Sequence, residues 1–395
     1  MFLRNPVAEK RFGWATPAVF FVAFIFFVSF TTRAIIGPLL VHMEIDLHLD
    51  HAQASSLLSF VSFGMGAGML LSGFLLSVIP PRRMICISLI GTGISLFFIS
   101  RAGGLDEIRL LFALLGATCG LYLPSALATL GTLVRFESWS MAVSVHELAP
   151  AVSFITAPIL AESMATVYGW QGVMQFMGGA STCVGVLFFI WGTGGVTPVE
   201  RPSLGGAVVG LRQPVFWVFI WLFGLSMGAE FAPYSVLPLS LTSEQGLGSM
   251  EASHLLSISR IPAPFMVLVG GWAVGFLGVR KSLLLFLTIQ GLSLLTLGVP
   301  FKVAGVVGML AAMLLQAMSA SFVFPALFTL FAESFLRNQQ PMLLSLSLPV
   351  ASCLGGGLVP YLLGLSGEYV TFSFGYSLFG LMCLCTIPIL WLCRK

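Results

Sequence analysis

The sequence predicts an all-α membrane protein with twelve transmembrane helices, arranged as two six-helix halves related by pseudo-two-fold symmetry. Hydrophobic residues make up 57% of the 395 residues and charged residues only 8%, whereas a typical soluble domain has about 25% charged residues. Twelve apolar stretches are long enough to span a bilayer, and short motifs recur in the second part of the chain. We therefore expect a chain that is solvated mainly by lipid.

The predicted spans follow from length, because about 20 residues of helix cross a hydrocarbon core of about 30 Å. They cover residues 14–41, 54–79, 84–101, 106–133, 139–163, 171–193, 214–241, 252–277, 281–299, 303–332, 342–365 and 370–392. One extended polar break divides them six and six. We expect an N-terminal six-helix bundle over residues 1–196, a cytoplasmic linker over residues 197–213 and a C-terminal six-helix bundle over residues 214–395.

The distribution of basic residues predicts the orientation. If the N-terminus is cytoplasmic, 13 of the 18 Lys and Arg residues fall in or beside cytoplasmic segments, and only three fall at the other side. The 13 residues are Arg4, Lys10, Arg11, Arg82, Arg83, Arg135, Arg201, Arg212, Arg280, Lys281, Arg337, Arg394 and Lys395. Such a bias places both termini in the cytoplasm. The basic N-terminus leads into a full-length span without a small-residue cleavage site, so it is not a signal peptide.

An internal repeat supports the division into two halves. A segment that begins with Gly73 and ends with Arg82 and Arg83 precedes the third span, and a similar segment from Gly271 to Lys281 precedes the ninth, 198 residues later. Prolines also recur at offsets of 200 and 201 residues in the first and seventh spans and in the fourth and tenth spans. Parallel repeats of this kind place a substrate site at their interface.

These segments resemble the loop motif between the second and third helices of the major facilitator superfamily. The matching residues are Gly73, Arg82 and Arg83 in the first copy and Gly271, Arg280 and Lys281 in the second. Ser77 and Gly275 stand where that family usually has an aspartate.

A second likeness to the same superfamily lies near the fifth span. Ala157-Pro158 is similar to the Gly-Pro of its fifth-helix motif, and Tyr168-Gly169-Trp170 to the turn that often follows. Together the resemblances imply the major facilitator fold and a transporter. They also imply a central cavity lined by helices 1, 2, 4, 5, 7, 8, 10 and 11, in a protein of the bacterial inner (plasma) membrane.

The charges that lie clearly within the membrane fall on helices that the resemblance places around this cavity. They are Arg33 in helix 1, Glu147 in helix 5, Glu230 in helix 7 and Arg260 in helix 8. A charged side chain near the bilayer centre costs about 3 kcal/mol or more, so such residues usually face a water-filled path. This distribution of charged residues over the helices predicts a polar central path.

Arg33 and Arg260 are the predicted contacts of an anionic substrate, since arginine offers a fixed fork of donors that suits a carboxylate. The resemblance adds that monocarboxylate carriers commonly use an arginine in helix 8. The alternatives are that Arg33 extends to the outer surface and that Arg260 forms a structural ion pair with Glu230. Tyr122, Tyr234 and Gln316 are candidate neutral contacts or packing residues. Tyr234 follows Glu230 by four residues, so both share one helix face.

His146 and Glu147 form the predicted proton-coupling pair, with Glu230 as a further candidate. Histidine titrates near neutral pH, and a carboxyl group buried in the membrane keeps its proton up to a higher pH than one in water. The alternative is a cytoplasmic-side gate or a hydrogen bond between packed helices.

The first outer loop, residues 41–51, is rich in histidine and carboxylate side chains. These side chains suit zinc or a similar metal. The simpler interpretation is a solvated loop in which Asp50 caps the second span and Gln53 completes a capping box.

We expect a secondary active transporter that moves a small, monocarboxylate-like organic anion by alternating access, coupled to protons. An exporter of hydrophobic or amphipathic compounds is the alternative, favoured by 35 Phe and 17 Met. A non-transporting sensor with a transporter fold is a third possibility.

No phosphate-binding loop is present in the sequence, so we expect neither an enzyme nor a cofactor. The expected partners are the substrate, protons and the lipid bilayer; we expect a monomer and no nucleic acid.

Overall fold

The computed structural model describes residues 12–135, 138–199, 211–299, 301–336 and 339–389. Within these ranges the chain is almost entirely helical and contains no strand, which confirms the predicted all-α class. Eleven helical segments in the described ranges are long and apolar enough to cross a membrane. They are Thr16–Leu47, His51–Leu75, Pro81–Ile99, Leu105–Leu133, Met141–Trp191, Pro214–Ser243, Ser249–Leu277, Val279–Leu297, Gly305–Ser334, Met342–Tyr369 and Phe372–Ile389.

Several of these segments contain two helices that meet at a bend. In chain order the helices are α1 (Phe12–Ala34), α2 (Ile36–Leu47), α3 (His51–Leu75), α4 (Pro81–Ile99), α5 (Leu105–Gly120), α6 (Tyr122–Leu133), α7 (Trp139–Trp191), α8 (Pro214–Ser243), α9 (Ser249–Arg260), α10 (Ala263–Leu277), α11 (Val279–Leu297), α12 (Phe301–Ser334), α13 (Gln340–Ser352), α14 (Val359–Tyr369) and α15 (Phe372–Thr386).

The longest apolar segment is interrupted at Gly169. This segment, Met141–Trp191, has 51 residues, and at 1.5 Å per residue a straight helix of that length would measure about 75 Å. Gly169 adopts φ 68° and ψ 169°, a conformation that only glycine adopts without steric cost. The break lies in the Tyr168-Gly169-Trp170 sequence, between the predicted spans 139–163 and 171–193.

The first span is longer than predicted. The sequence predicted its end at Val41 and an outer loop beyond it, but α2 remains helical to Leu47. Polar side chains in this last turn have partners: Asp46 accepts hydrogen bonds from Trp170 Nε1 at 2.8 Å and from Gln171 Nε2 at 2.6 Å. These hydrogen bonds stabilise the last turn of α2. The helix therefore extends beyond the predicted boundary.

The predicted capping box at the start of α3 is confirmed. The Asp50 carboxylate accepts a hydrogen bond from the backbone N–H of Gln53 at 2.6 Å, and the Gln53 side chain accepts one from the backbone N–H of Asp50 at 3.2 Å. These two bonds satisfy N–H groups that have no partner within the helix. The cap fixes where the chain turns back from α2 into α3.

A short π-helix, Cys353–Leu358, joins α13 to α14. It contains three consecutive glycines, and a Cβ atom added to Gly355 would lie 2.3 Å from the carbonyl oxygen of Gly224 on α8. The backbones of the two helices therefore approach closely at this point. Ser59 on α3 donates a hydrogen bond to the Gly357 carbonyl at 2.9 Å, so the π-helix contacts α3 as well as α8.

One end of the bundle joins helices that are distant in the sequence. We call it the Asp50 end. Here Ser249 donates a hydrogen bond to Glu162, and the backbone N–H of His51 donates one to Glu368 at 3.0 Å. Both contacts join residues before position 197 to residues after position 213. They close the bundle at this end.

Candidate functional site

A small cavity lies at the centre of the bundle, between α1, α2, α3, α7, α8, α13 and the π-helix. Its volume is ≈ 50 Å³. Its lining residues are Phe30, Arg33, Ala34, Ile36, Leu58, Val61, Ser62, Met65, Phe154, Met227, Phe231, Tyr234, Ser235, Ser352 and Gly356. About four water-sized groups fit in such a volume. In this conformation the cavity therefore suits a small ion better than a drug-sized molecule.

Arg33 contributes the cationic group of the cavity lining. It lies in the last turn of α1 and is half-buried. Its guanidinium lies over the Phe30 ring, 4.8 Å from the ring centre, and contacts the sulfur of Met65 on α3. Arg33 Nε is buried without a protein hydrogen-bond partner. The side chain thus presents an unused donor at the cavity wall.

Arg260 lies directly behind the cavity wall and is only 2% exposed. Its guanidinium carbon is 5.2 Å from the centre of the Tyr234 ring and 5.7 Å from that of Phe154, and both rings line the cavity. Nη2 donates a hydrogen bond to Gln316 Oε1 at 3.3 Å, while Nε has no protein partner. Glu230 lies within electrostatic range of Arg260, but no ion pair within 4 Å joins these two described residues.

Aromatic rings connect the two arginines. Phe30 packs edge-on against Phe154 at 5.0 Å, and Phe154 packs edge-on against Tyr234 at 4.5 Å. Arg33 lies over the first ring of this series and Arg260 near the other two. The Tyr234 hydroxyl is also buried without a protein hydrogen-bond partner. One cluster therefore holds three unpaired donors, and donors arranged around a cavity can bind an anion.

Gln316 is positioned by the helix that carries Tyr234. Its amide nitrogen donates a hydrogen bond to the carbonyl of Ala229 on α8, while its amide oxygen accepts from Arg260. These two bonds fix the amide orientation and hold the Arg260 head group toward the aromatic cluster. Gln316 is therefore close to the predicted anion contact without lining the cavity.

Tyr122, His146 and Glu147 form a separate hydrogen-bonded series. His146 is fully buried; its Nε2 is 3.2 Å from the Tyr122 hydroxyl and its Nδ1 is 3.0 Å from Glu147 Oε1. The imidazole stacks on the Phe26 ring at 4.2 Å. The Tyr122 hydroxyl also donates to the Val22 carbonyl at 3.0 Å. The series runs from the interior to the surface, since the Glu147 side chain is 50% exposed.

The exposure of Glu147 corrects one expectation. We expected a buried carboxylate at this position, but the structure buries the histidine and exposes the carboxylate. Glu230, by contrast, is half-buried on α8 beside Arg260. It does not line the cavity, whereas Tyr234, one helical turn further on, does.

The loop-motif residues lie outside this cavity. Arg82 donates a hydrogen bond from Nη2 to the Phe189 carbonyl at 2.8 Å, and its backbone N–H donates to the Gly195 carbonyl at 2.9 Å. The first copy of the motif thus fastens the start of α4 to the end of α7. The remaining motif residues are exposed or half-buried, and they are Gly73, Arg83, Gly271, Arg280 and Lys281.

The histidines and carboxylates near the Asp50 end pair with each other. His42 Nε2 is 2.9 Å from Glu162 Oε2, and His51 Nδ1 is 2.9 Å from Glu44 Oε1. Among the described residues, no group of three or more His, Cys, Asp or Glu side chains is placed to hold a metal ion. The metal interpretation of the segment 41–51 is not supported.

The aromatic and glycine components of the site were not among the residues predicted from the sequence. Phe30 and Phe154 were two among 35 phenylalanines, and no local pattern distinguishes them. The signal for the π-helix was available: Gly355, Gly356 and Gly357 interrupt an otherwise apolar span, and π-helical segments are frequent at functional sites.

The eleven apolar helical segments around a central cavity are those of a multi-pass membrane protein. The chain belongs to the Major Facilitator Superfamily, whose sequence profile matches residues 22–360. This membership confirms the resemblance found in the sequence, and it identifies the chain as a transporter rather than an enzyme.

Known proteins of the same fold differ widely in their cargo. The chain is 24% identical over 271 residues to a protein named "Probable nitrate/nitrite antiporter NarK1" from Thermus thermophilus; the match covers 65% of this chain and 60% of that protein. Among solved structures, a POT family transporter in complex with 5-aminolevulinic acid superimposes with a TM-score of 0.80 at 12% identity, over 98% of this chain and 97% of that one. A D-xylose-proton symporter superimposes with a TM-score of 0.75 at 15% identity, over 96% and 98% of the two chains.

Proposed function

We propose that this protein is a secondary active transporter for a small planar anion, a monocarboxylate or an inorganic anion of similar shape such as nitrate. The observation that carries the proposal is a group of three buried donors without protein partners. Arg33 Nε and the Tyr234 hydroxyl belong to residues that line the cavity, and Arg260 Nε lies behind its wall, beside the Tyr234 ring. A buried donor without a partner costs about 1–3 kcal/mol. An anion bound among these three groups would remove that cost.

The size and charge of the site favour this substrate class. A cavity of ≈ 50 Å³ accommodates an anion with few non-hydrogen atoms. Arginine binds planar oxygen-bearing anions through two parallel hydrogen bonds. The Thermus relative is named for nitrate and nitrite, two small planar anions, which supports the same chemistry without identifying the cargo here.

We propose that the transport cycle is alternating access between two six-helix halves, residues 1–196 and 214–395, joined by the linker 197–213. The interruption of α7 at Gly169 would let the 51-residue segment serve as two spans, which gives twelve in total. We place the protein in a bacterial inner membrane with both termini on the cytoplasmic side. The Asp50 end would then face outward. We propose a monomer, because each chain contains a complete site.

Proton coupling through His146 and Glu147 completes the proposal. The buried imidazole contacts Tyr122 on one side and the exposed Glu147 on the other, so a proton taken up at the carboxylate can reach the interior. Glu230, beside Arg260, is the second candidate. This coupling would make the protein a symporter.

Uptake of labelled anions into proteoliposomes tests the proposal. The panel should contain short monocarboxylates, nitrate, nitrite, a sugar and a lipophilic cation, each with and without an inward proton gradient. We expect uptake of at least one small planar anion, increased by acid outside. Transport of the lipophilic cation alone would replace the proposal with an exporter of amphipathic compounds, and no transport of any compound would favour a sensor.

A further inference from the structure

A second polar cluster lies at the Asp50 end, away from the cavity. Its centre is His51, the first residue of α3, whose Nδ1 is 2.9 Å and 3.0 Å from the two carboxylate oxygens of Glu44 on α2. The His51 side chain is 24% exposed and that of Glu44 13%. Solvent therefore reaches the imidazole, although most of the pair is covered.

The other neighbours of His51 come from the C-terminal part of the chain. Its backbone N–H donates a hydrogen bond to Glu368 Oε2 at 3.0 Å, at the end of α14. Its ring lies 5.1 Å from the ring of Phe372, whose backbone N–H donates in turn to Glu244. Glu244 and Glu368 both lie within electrostatic range of the imidazole.

The charge balance of this cluster depends on the protonation of His51. Three carboxylates lie within electrostatic range of the imidazole: Glu44 from the N-terminal part, and Glu244 and Glu368 from the C-terminal part. With a neutral imidazole, carboxylates of like charge face each other across the contact between the two parts. An imidazolium between them offsets that repulsion, because opposite charges at these distances attract strongly when partly buried.

We propose that His51 is a proton-binding site that closes the Asp50 end of the transporter. Glu244 and Glu368 surround the imidazole only when the two parts of the chain meet here, so the closed state binds the proton more tightly than the open state. By linkage, a proton bound at His51 then favours closure. This site is separate from His146 and Glu147, and the inference rests on the alternating-access movement proposed above.

The direction of the effect suits a symporter. If the Asp50 end faces outward, His51 meets external protons while that end is open. Proton binding would then favour closure of the outer side. A transporter with substrate bound would next open toward the cytoplasm. The nearby His42–Glu162 pair, with Ser249 donating to Glu162 and His254 within electrostatic range, adds a second titratable contact at this end.

Backbone hydrogen exchange of the purified protein in nanodiscs, without substrate, tests the inference. The measurement compares exchange of the α2 and α14 amides at about pH 7.5 and about pH 5.5, on either side of the ordinary pKa of histidine, after correction for intrinsic rates. We expect protection to rise about threefold at the lower pH, if the closed state binds the proton about threefold more tightly. His51→Gln keeps a donor for Glu44 but cannot take a charge, and it should lose most of this rise.

Two further variants complete the test. Glu368→Gln removes the carboxylate of the opposite part and should also lose most of the rise, so it decides the matter if His51→Gln does not fold. His48→Asn is the matched control, because His48 is exposed and has φ 52°, a conformation that asparagine tolerates; it should respond as the unaltered protein does. The inference is overturned if the unaltered protein shows no rise or if the two test variants keep it. Because no substrate is present, a failure of anion uptake would leave this result unaffected.

Discussion

Arginine, rather than lysine, occupies both cationic positions of the candidate site, and the shape of the guanidinium suits the planar anion that we propose. Arg260 donates from Nη2 to Gln316 and still has Nε available. A lysine ammonium at the same place would offer a point charge without the planar pair of donors that matches a carboxylate or nitrate. The residue type therefore contributes geometry as well as charge.

Replacement of this arginine should weaken anion transport while the protein still folds. We predict that Arg260→Lys lowers the rate of uptake at low anion concentration about 10- to 100-fold, since a hydrogen bond to a charged group contributes about 1.5–3 kcal/mol. Arg109→Lys is the control, because Arg109 pairs with the exposed Asp106 near the surface. Equal uptake by both variants at matched expression would remove Arg260 from the site.

Glu147 is the residue through which we expect an inward proton gradient to drive substrate accumulation. The variant Glu147→Gln keeps a partner for His146 but cannot exchange a proton, so we expect it to retain exchange of substrate across the membrane. It should lose accumulation driven by acid outside, because alternating access then no longer responds to the proton. Counterflow and gradient-driven uptake in proteoliposomes measure the two activities separately. If this variant concentrates substrate as the unaltered protein does, Glu230 or His146 becomes the next candidate.

At the scale of elements, the π-helix makes a close backbone contact with α8. A methyl group on Gly355 would lie 2.3 Å from the Gly224 carbonyl oxygen and 2.5 Å from the Gly228 nitrogen, and backbone atoms cannot move aside as flexible side chains do. We predict that Gly355→Ala lowers thermal stability by the equivalent of about 1–3 kcal/mol. Gly271→Ala is the control, since nothing lies within 4 Å of its added methyl group; it should be neutral or stabilising. Similar melting temperatures for the two variants would contradict the close approach.

The helical elements were largely predictable from the sequence, because length and apolar composition suffice to recognise a membrane span. The predicted span 106–133 agrees with Leu105–Leu133, and 214–241 with Pro214–Ser243. The end of the first span was wrong by six residues, since the pairing of Asp46 with Trp170 is a tertiary contact.

The candidate site was predictable only in part: the two arginines stand out in apolar sequence, but the aromatic rings between them do not. Burial of His146 rather than Glu147 depends on helix rotation, which sequence alone left open.

At the scale of the whole molecule, the basic loops predict an orientation that can be tested directly. We predict that a reporter fused after Lys395 or inserted after Arg212 is cytoplasmic, whereas one inserted at Gly103 is external. Gly103 is exposed between α4 and α5, so an insertion there should be tolerated. A reporter after Lys395 that proves external would contradict the predicted orientation and an even number of spans.

The cavity lies between the N-terminal and the C-terminal parts of the chain. The cavity is lined by helices from both the N-terminal and the C-terminal parts of the chain, and the two arginines come one from each. A substrate that contacts both can favour the movement that alternating access requires, since it binds differently as the parts move. We therefore propose that one anion is shared by Arg33 and Arg260.

A double-mutant cycle on equilibrium anion binding tests that claim most directly. The anion should be the one that the uptake panel identifies, and binding is measured for the unaltered protein, Arg33→Ala, Arg260→Lys and the double variant. We predict that each single variant weakens binding and that the double variant loses less than the sum of the two, with a coupling energy of about 0.5–3 kcal/mol. Strictly additive losses, or full binding by either single variant, would show that the two arginines do not hold one anion.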